Sequence, residues 1–306
     1  MAQIIVTAYG KRGIHLIDEN SREVIYLPVE GKCNFCIQNE GNLYVPVQAD
    51  HNFIYEYDSE YRLSGKYQVQ HFYSHGVFFE GKLFLASFSE GVDAVYDLKE
   101  HRETDIFKHS RNGYKGSGRS HFIDVTPDRN YIYSVDNAFQ QIYIYDVSGG
   151  KLKVHSIMEF TDENIRLMPY SSFSGCAYLN TEVTNRIYTL KYDDGQYHIQ
   201  NAENMKTIGK CFSGGNAVSD DGKHLCISLR GDDRLLYYRL ESDGGHELIS
   251  DIKCGSMPRD VMIRQNRIYV TCTYSDAIEV YSETSAGLKK IDEFSVDQPV
   301  TFGRQR

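Results

Sequence analysis

Seven polar residues with acid–base or anion-binding chemistry recur at corresponding points along the chain. Some of them introduce apolar strands and the others follow such strands. Four of them, His75, His121, Arg166 and Arg259, stand before strands or at their starts. The other three, Asn137, Glu182 and Arg230, follow strands. An imidazole titrates near neutrality and can act as a general base, whereas a guanidinium group binds carboxylate or phosphate through two parallel hydrogen bonds. These residue types therefore suit acid–base chemistry on an anionic substrate.

The elements that must position these residues form a repeat of the whole chain. Each copy contains a short apolar strand, a polar turn and a second strand that ends near an acidic residue. The copies are Ile4–Asp18, Leu43–Asp58, Leu83–Asp97, Ile132–Asp146, Ala177–Asp193, Leu225–Glu241 and Ile268–Glu283, with Val6, Val45, Leu85, Ser134, Leu179, Ile227 and Val270 in equivalent positions. The spacing of 39 to 49 residues between those positions is typical of a propeller blade with four antiparallel strands.

The two ends of the chain indicate how the repeat closes. Each aligned strand is preceded by another strand, except that the first copy begins at Gln3 and has no room for one. A suitable segment, Gln298–Gly303, occurs at the C-terminus instead. The sequence therefore predicts an all-β, seven-bladed β-propeller over residues 1–306, a single domain whose C-terminal strand pairs into the N-terminal blade and removes the free sheet edges.

In a propeller the innermost strands line a central channel, so residues at their starts would share one rim with residues that follow the second strands. The rim would carry His75, His121, Arg166 and Arg259, together with Tyr9, Gln48, Phe88, Asn137, Glu182, Arg230 and Thr273. Charged groups that converge on a narrow channel either pair with one another or bind a ligand, because an unpaired buried charge is costly. Both interpretations remain open for the arginines, whose pairing partners would be Glu182 or Asp136.

Composition excludes several classes of function. The net charge is −9 and the pI about 5.7, which argues against binding to nucleic acid or to an anionic membrane. The N-terminus reads as a strand and resembles neither a signal peptide nor a membrane span. The seven cysteines are scattered, which predicts buried free thiols and a cytoplasmic protein. Cys33 and Cys36 form a CxxC pattern in a predicted strand, Gly31–Gln38, where they would point to opposite faces; no metal site is predicted from them.

Two further patterns exclude other chemistries. Gly113–Gly118 is glycine-rich, but it lacks the strand-to-helix context of a phosphate-binding loop and is interpreted as a loop that leads into the inner strand of the fourth blade. The chain contains no Gly-x-Ser-x-Gly motif, which argues against a serine hydrolase. No cofactor is expected.

Several short segments resemble the seven-bladed lactonase family, which includes propeller-type 6-phosphogluconolactonases and carboxymuconate-lactonizing enzymes. Ser120–Asp128 is similar to the family's histidine-bearing strand, His-x-x-x-x-(Ser/Thr)-Pro-Asp. The stretch from Arg166 to Glu182 resembles the segment from Gly-Pro-Arg-His to Asn-Glu, with Thr181 in place of the asparagine. Leu229–Gly231 resembles Asn-Arg-Gly, and Pro258-Arg259 resembles Pro-Arg.

The resemblance implies a hydrolase of a phosphorylated or carboxylated sugar lactone, such as 6-phosphogluconolactone. No metal ligand is assigned from the sequence, which leaves a metal in the channel open. It implies catalytic roles for His121, Glu182 and Arg166. It implies that one of Arg230 and Arg259 completes this set. From their places on the predicted rim, Arg259, Arg230, His75 and Asn137 are expected to bind the substrate. His121 would be the general base or a channel histidine bonded to a backbone carbonyl, and Glu182 would orient it, act as the base or pair with an arginine.

Two other functions compete with the lactonase. A non-catalytic scaffold would expose a wide aromatic patch on one face, formed for example by Phe72, Tyr73, Tyr114 and Phe139. A muconate-type lactonizing lyase would place arginines for two carboxylates. The expected partner is a small anionic lactone, with neither nucleic acid nor membrane, and the sequence leaves a monomer and a dimer open.

Overall fold

A computed structural model describes residues 3–161, 164–205 and 212–305. The chain divides into two compact units, Met1–Thr161 with Phe302–Arg306, and Asp162–Thr301. Seven sheets are present, numbered here by the order of their strands along the sequence, and each contains a run of antiparallel strands.

The first unit contains the strands of sheets 1 to 4, which begin and end near the predicted turns. Sheet 1 contains Gln3–Ala8, Gly13–Asp18 and Val24–Pro28, and sheet 2 contains Ile37–Asn39, Asn42–Gln48, Asn52–Tyr57 and Leu63–Val69. Sheet 3 contains His75–Phe79, Lys82–Ser87, Val92–Asp97 and Arg102–Lys108, and sheet 4 contains Ser120–Val125, Ile132–Asp136, Gln141–Asp146 and Lys153–Glu159.

The second unit contains sheets 5 to 7. Sheet 5 contains Tyr170–Ser171, Cys176–Asn180, Arg186–Asp193 and Gln196–Asn204, and sheet 6 contains Ser213–Val218, His224–Leu229, Arg234–Leu240 and His246–Lys253. Sheet 7 contains Pro258–Arg264, Arg267–Cys272, Ala277–Thr284 and Gly287–Ser295.

The C-terminal strand completes sheet 1, as the sequence predicts. Pro299–Phe302 lies next to Gln3–Ala8 and gives that sheet its fourth strand. Immediately after it, the Gly303 N–H donates to the Ile5 carbonyl at 2.7 Å. The chain then continues into sheet 2, where Arg304–Gln305 pairs in parallel with Ile37–Gln38. This exchange of chain ends covers a backbone edge that would otherwise be unpaired.

The predicted register of the repeat is confirmed. The seven equivalent positions all lie in the second strand of their sheets, and every one of these side chains is fully buried. They are Val6, Val45, Leu85, Ser134, Leu179, Ile227 and Val270. Both faces of these second strands are buried, so the alignment is confirmed by the common place of the seven positions in the second strand and not by their burial alone.

Neighbouring sheets within each unit pack face to face. Ile5 and Leu16 of sheet 1 share an apolar cluster with Val45 and Tyr55 of sheet 2. Similar clusters join sheets 2 and 3, and sheets 3 and 4. In the second unit, equivalent clusters join sheets 5 and 6 and sheets 6 and 7. The core is therefore a series of layers between sheets, and burial of these apolar faces stabilises the fold.

The predicted strand Gly31–Gln38 is wrong in extent. Only Ile37–Asn39 is a strand; Lys32 forms an isolated bridge with Gln48. Gly31 explains the close approach, since a Cβ there would lie 2.0 Å from the Gln48 carbonyl oxygen. Cys33 and Cys36 are buried and free, and burial raises the pKa of the Cys33 thiol to about 12. This thiol is therefore unsuited to redox chemistry at neutral pH.

The described residues agree with an all-β fold and, for most of the cysteines, with the prediction of buried free thiols. Five of the six described cysteines are buried and Cys254 is partly exposed, whereas Cys211 lies outside the described residues. Between residues 3 and 305, with the gaps given above, the only helical segment is the short 3-10 turn Thr273–Ser275. No helix in that part of the chain has the length and apolar character needed to cross a membrane.

Candidate active site

A cluster of two arginines around one carboxylate occupies the second unit. Arg166 Nη1 lies 3.0 Å from Glu182 Oε2, and Arg230 Nη2 donates to Glu182 Oε1. The side chains of Arg166, Glu182 and Arg230 are 10%, 23% and 14% exposed, so the group is largely removed from solvent but still reaches it. This geometry brings together three of the residues singled out from the sequence.

Short backbone links fix the positions of Arg166 and Glu182. Ile165 and Thr181, which precede them, form an isolated antiparallel bridge. The Glu182 N–H donates to the Asn164 carbonyl at 2.7 Å, and the Arg166 N–H donates to the Asn180 carbonyl at 3.0 Å. The two functional side chains therefore project from a single paired ladder in sheet 5.

Arg230 reaches the cluster from sheet 6. It follows the strand His224–Leu229, and its N–H donates to the Phe212 carbonyl at 3.1 Å. Its guanidinium group also donates to the carbonyls of Phe212 and Ser213, each at 3.3 Å. These bonds fix the guanidinium plane against the carboxylate of Glu182.

The charges of the cluster determine its protonation. Burial favours the neutral carboxyl of Glu182, but the guanidinium groups of Arg166 and Arg230 outweigh it and hold the pKa of Glu182 below its usual 4.5. Burial and the repulsion of Arg230 lower the pKa of Arg166 to about 10, and Arg259 adds to that repulsion. Two guanidinium groups thus act on one carboxylate, so the cluster is locally positive in a protein of net charge −9.

Two of the candidate residues lie at irregularities in strand pairing. In sheet 4 the register shifts between Ser120 and Phe122, so that His121 lies in a bulge. In sheet 7 it shifts between Pro258 and Val261, a stretch that contains Arg259. A bulge changes the direction of a side chain relative to the regular alternation and is common beside active sites. The sequence gives no sign of either bulge.

An asparagine that the sequence analysis did not single out stabilises the cluster. Asn180 is fully buried, its Nδ2 donates to Ser213 Oγ at 2.8 Å, and its Oδ1 accepts from the Leu167 N–H at 3.2 Å. Asn216 Nδ2 also donates to Asn180 Oδ1, at 3.1 Å. Asn180 therefore links the ladder that carries Glu182 to the first strand of sheet 6. The sequence signal that could have identified Asn180 is its position as a polar residue at the end of the apolar strand Cys176–Asn180.

Unit one holds the candidate histidines. His121 is partly buried, and its ring meets Phe88 edge-on at 5.1 Å between centroids. His75 is 6% exposed and packs between Phe35 and Phe122, and its Nδ1 accepts from the Ile123 N–H at 3.2 Å. Burial, together with the charge of Arg304 and the neighbouring His121, holds the pKa of His75 well below its usual value. A neutral, enclosed ring bonded to the backbone is typical of a structural histidine.

Asn137 is buried at the end of the strand Ile132–Asp136, and its N–H donates to the Arg119 carbonyl at 2.9 Å.

Asp136, which precedes Asn137, belongs to a buried charged network that the sequence analysis missed. His109 Nδ1 contacts Asp136 Oδ2 and His109 Nε2 contacts Asp93 Oδ2, each at 2.7 Å, and all three side chains are fully buried. Burial opposes a charged ring, but the two carboxylates outweigh it and raise the pKa of His109 to about 9. Asp136 thus pairs with His109 and, among the described residues, forms no ion pair with an arginine.

A cavity of about 290 Å³ opens in the same unit and is lined by Tyr9, Arg12 and Lys32. Tyr9 is one of the predicted rim positions. Neither Arg12 nor Lys32 forms an ion pair with a described carboxylate, so the cavity has a positive lining.

Comparison with known proteins places the chain in a family. Residues 47–303 match the family described as Lactonase, 7-bladed beta-propeller. The chain belongs to this lactonase family. The predicted fold class, a seven-bladed β-propeller with a shared first blade, is confirmed by this match and by the seven sheets.

Several solved structures share the fold at low identity. A periplasmic gluconolactonase of Pseudomonas aeruginosa has a TM-score of 0.82 at 17% identity, over 98% of both chains. A proposed 6-phosphogluconolactonase of Bacteroides fragilis has a TM-score of 0.83 at 18% identity, over 98% of this chain and 96% of its own. A protein of Lactobacillus plantarum reaches 0.85 at 19% identity, over 98% of both chains.

Curated relatives of this lactonase-family chain match it over shorter stretches. An uncharacterized protein of Staphylococcus saprophyticus is 29% identical over 164 residues, which are 51% of this chain and 47% of the relative. One from Lactococcus lactis is 28% identical over 210 residues, 64% of this chain and 61% of the relative. The aligned part of the chain thus spans about half to three-fifths of the length of these relatives.

Proposed function

We propose that this protein is a lactonase that hydrolyses a sugar lactone bearing a phosphate or a carboxylate. The observation that carries the proposal is the cluster of Arg166, Glu182 and Arg230, in which two nearly buried guanidinium groups share one carboxylate. Membership of the lactonase family supports the reaction class. The positive cluster supports the anionic substrate.

Arg166 has donor capacity beyond its pairing with Glu182. Arg166 Nε is buried and has no hydrogen-bond partner among the described residues. A buried donor without a partner is rare, and its cost is offset when a ligand supplies an acceptor. Guanidinium groups bind phosphate and carboxylate through paired hydrogen bonds, so we assign the anionic group of the lactone to Arg230 and Arg259.

Lactone hydrolysis adds water across the ring ester. A water oxygen attacks the carbonyl carbon, the tetrahedral intermediate bears a negative oxygen, and the bond to the ring oxygen then breaks to give a hydroxy acid. Arg166 is suited to stabilise the negative oxygen, because a guanidinium group in a water-poor site interacts strongly with developing charge. We assign to His121 the role of general base: it takes a proton from the attacking water and later donates it to the ring oxygen.

We assign Glu182 a positioning role. Both carboxylate oxygens accept from guanidinium groups, and the pKa of this carboxyl is lowered, so Glu182 is a weak base in this environment. It fixes the directions of Arg166 and Arg230 instead. Asn137 is proposed as a neighbour of the substrate, whereas His75, enclosed between two phenylalanine rings, is interpreted as a structural residue.

The aromatic residues give less support to a scaffold function. Phe72, Tyr73 and Phe139 are buried, with 6%, 0% and 4% exposure, whereas Tyr114 is 47% exposed. These residues do not form the wide exposed patch that a scaffold would need. A lactonase requires no such patch.

The test is hydrolysis of 6-phosphoglucono-δ-lactone, corrected for spontaneous ring opening. Loss of a general base lowers kcat by roughly 10²–10⁴-fold, so we expect that fall in His121→Gln. Arg239→Met is the matched control, since Arg239 is 51% exposed and, among the described residues, pairs only with Glu247 on the surface. Circular dichroism verifies that each variant is folded.

Three outcomes contradict the proposal. The first is wild-type turnover no faster than the spontaneous reaction with either this lactone or a carboxylated one. The second is full activity in folded His121→Gln. The third is lactonization of a muconate-type diacid without lactone hydrolysis, which would assign the lyase instead.

A further inference from the structure

Two thiols and a carboxylate converge at one end of sheet 7, apart from the arginine cluster. Cys254 follows the strand His246–Lys253, Cys272 ends the strand Arg267–Cys272, and Glu279 lies in the next strand. The two Sγ atoms and a carboxylate oxygen all lie within 4.8 Å of one another. Cys272 and Glu279 are 0% and 6% exposed, and Cys254 is partly exposed.

The fold explains why these side chains meet. Cys272 pairs with Ala277, and Val270 pairs with Glu279, so Cys272 and Glu279 are diagonal neighbours on one face of two paired strands. Gly255 allows the loop that carries Cys254 to approach them, because a Cβ at that position would lie 2.8 Å from Cys272 Cβ. The three side chains therefore meet because Gly255, which has no side chain, lets the loop pack closely against the sheet.

The distances match the ligand spacing of a tetrahedral zinc ion. Zinc–sulfur and zinc–oxygen bonds of about 2.3 and about 2.1 Å place neighbouring S and O ligands roughly 3.6 Å apart. Cys272 Sγ lies 3.6 Å from Glu279 Oε2, to which the protonated thiol donates a hydrogen bond. The same geometry places two sulfur ligands roughly 3.8 Å apart. The two Sγ atoms here are at most 4.8 Å apart, so a shift of about an ångström or less would bring them to that spacing.

We propose that Cys254, Cys272 and Glu279 bind a zinc ion through two thiolates and one carboxylate oxygen. Two thiolates with one oxygen ligand suit zinc and disfavour magnesium or calcium, which prefer oxygen alone. The partly exposed side of Cys254 leaves the fourth position to water.

Neighbouring groups balance the charge and orient the carboxylate. Lys290 Nζ lies 2.6 Å from Glu279 Oε1, while the Tyr281 hydroxyl and the Gly255 N–H donate to Oε2 at 2.6 and 2.8 Å. A divalent cation and the ammonium group of Lys290, which also pairs with Glu293 at 2.6 Å, offset most of the charge of two thiolates and a carboxylate. Such outer donors fix ligand direction in zinc sites. Both thiol protons leave as the thiols bind the metal, so binding releases about two protons per ion.

The test is titration of the folded, chelator-treated protein with Co²⁺ under reducing conditions, since cobalt–thiolate absorption reports sulfur ligation directly. We expect one Co²⁺ per chain, displacement by Zn²⁺ and release of about two protons per ion in weakly buffered solution. Cys254→Ser should weaken Zn²⁺ binding at least 100-fold. This variant changes the partly exposed ligand, so it disturbs packing less than a change at Cys272.

A matched variant separates this site from the other thiol pair. Cys33→Ala alters the CxxC segment in the first unit and should leave the cobalt spectrum unchanged. The proposal is overturned if wild-type protein gives no cobalt–thiolate absorption at millimolar Co²⁺. It is equally overturned if folded Cys254→Ser retains the wild-type affinity, or if Cys33→Ala abolishes the signal.

Discussion

Replacement of Glu182 by glutamine tests the electrostatic account of the arginine cluster. The change keeps the shape of the side chain and removes the charge that balances Arg166 and Arg230. Loss of one partner of a fully buried ion pair costs about 3–5 kcal/mol. The three side chains are 10–23% exposed, so solvent screens part of this effect, and we expect a loss of about 2–3 kcal/mol in the free energy of unfolding.

For a chain of 306 residues, that loss corresponds to a fall in Tm of about 3–5 °C. Thermal and urea unfolding of Glu182→Gln would measure it. The matched control is Glu247→Gln, because Glu247 pairs with Arg239 at 3.1 Å but both side chains are more than half exposed. We expect less than about 0.5 kcal/mol there. Equal losses in the two variants would refute the reasoning, because they would show that burial of the cluster adds nothing.

Inorganic phosphate provides a second measurement on the same variant. Without the carboxylate, the guanidinium groups attract an anion more strongly, so phosphate should raise the Tm of Glu182→Gln by more than that of Glu247→Gln. Equal shifts in both would indicate general salt effects, and the positive cluster would then have no anion-binding capacity of its own.

Two further predictions concern the buried network of the first unit. The pKa of His109 is about 9 when folded and about 6.5 when unfolded, so its contribution, about 3 kcal/mol, is complete below pH 6.5 and is lost as the pH rises through 9. Urea unfolding at several pH values should show this decline, and His109→Leu should flatten it; an unchanged profile would contradict the assignment. Gly118→Ala should destabilise the protein by about 1–3 kcal/mol, because its Cβ would lie 2.3 Å from Asp136 Oδ2. Gly149→Ala, which meets nothing within 4 Å, should be nearly neutral by the same unfolding measurement, and similar losses in both would argue against the steric account.

The fold was predictable because its main signals are local and repeated. Apolar strands and polar turns recur around Val6, Val45 and the equivalent positions, and this recurrence identifies the second strand of each sheet. The missing first strand before Gln3 and the spare segment after Gln298 indicated the exchange of chain ends. The strand at Cys33 and Cys36 was predicted too long, because the pattern does not show where the chain turns to pair with Gln48.

The sites were predictable only where the repeat aligns their residues. Arg166 precedes an inner strand of the repeat, whereas Glu182 and Arg230 follow second strands. The structure brings these three residues into contact. His109 meets Asp93 and Asp136 outside any repeat position, through contacts between distant segments. The cluster of Cys254, Cys272 and Glu279 likewise depends on packing around Gly255. Bulges at His121 and Arg259 depend on local pairing that composition does not determine.

The central claim is that arginines select a lactone by its anionic group. Its most direct test is the ratio of kcat/KM for 6-phosphoglucono-δ-lactone to that for glucono-δ-lactone, measured in wild type, Arg259→Met and the surface control Arg239→Met. A charged hydrogen bond contributes about 1.5–3 kcal/mol, so the ratio should fall roughly 10- to 100-fold in Arg259→Met and stay unchanged in the control. A wild-type protein that does not prefer the phosphorylated lactone, or a ratio that is the same in all three proteins, would contradict the account.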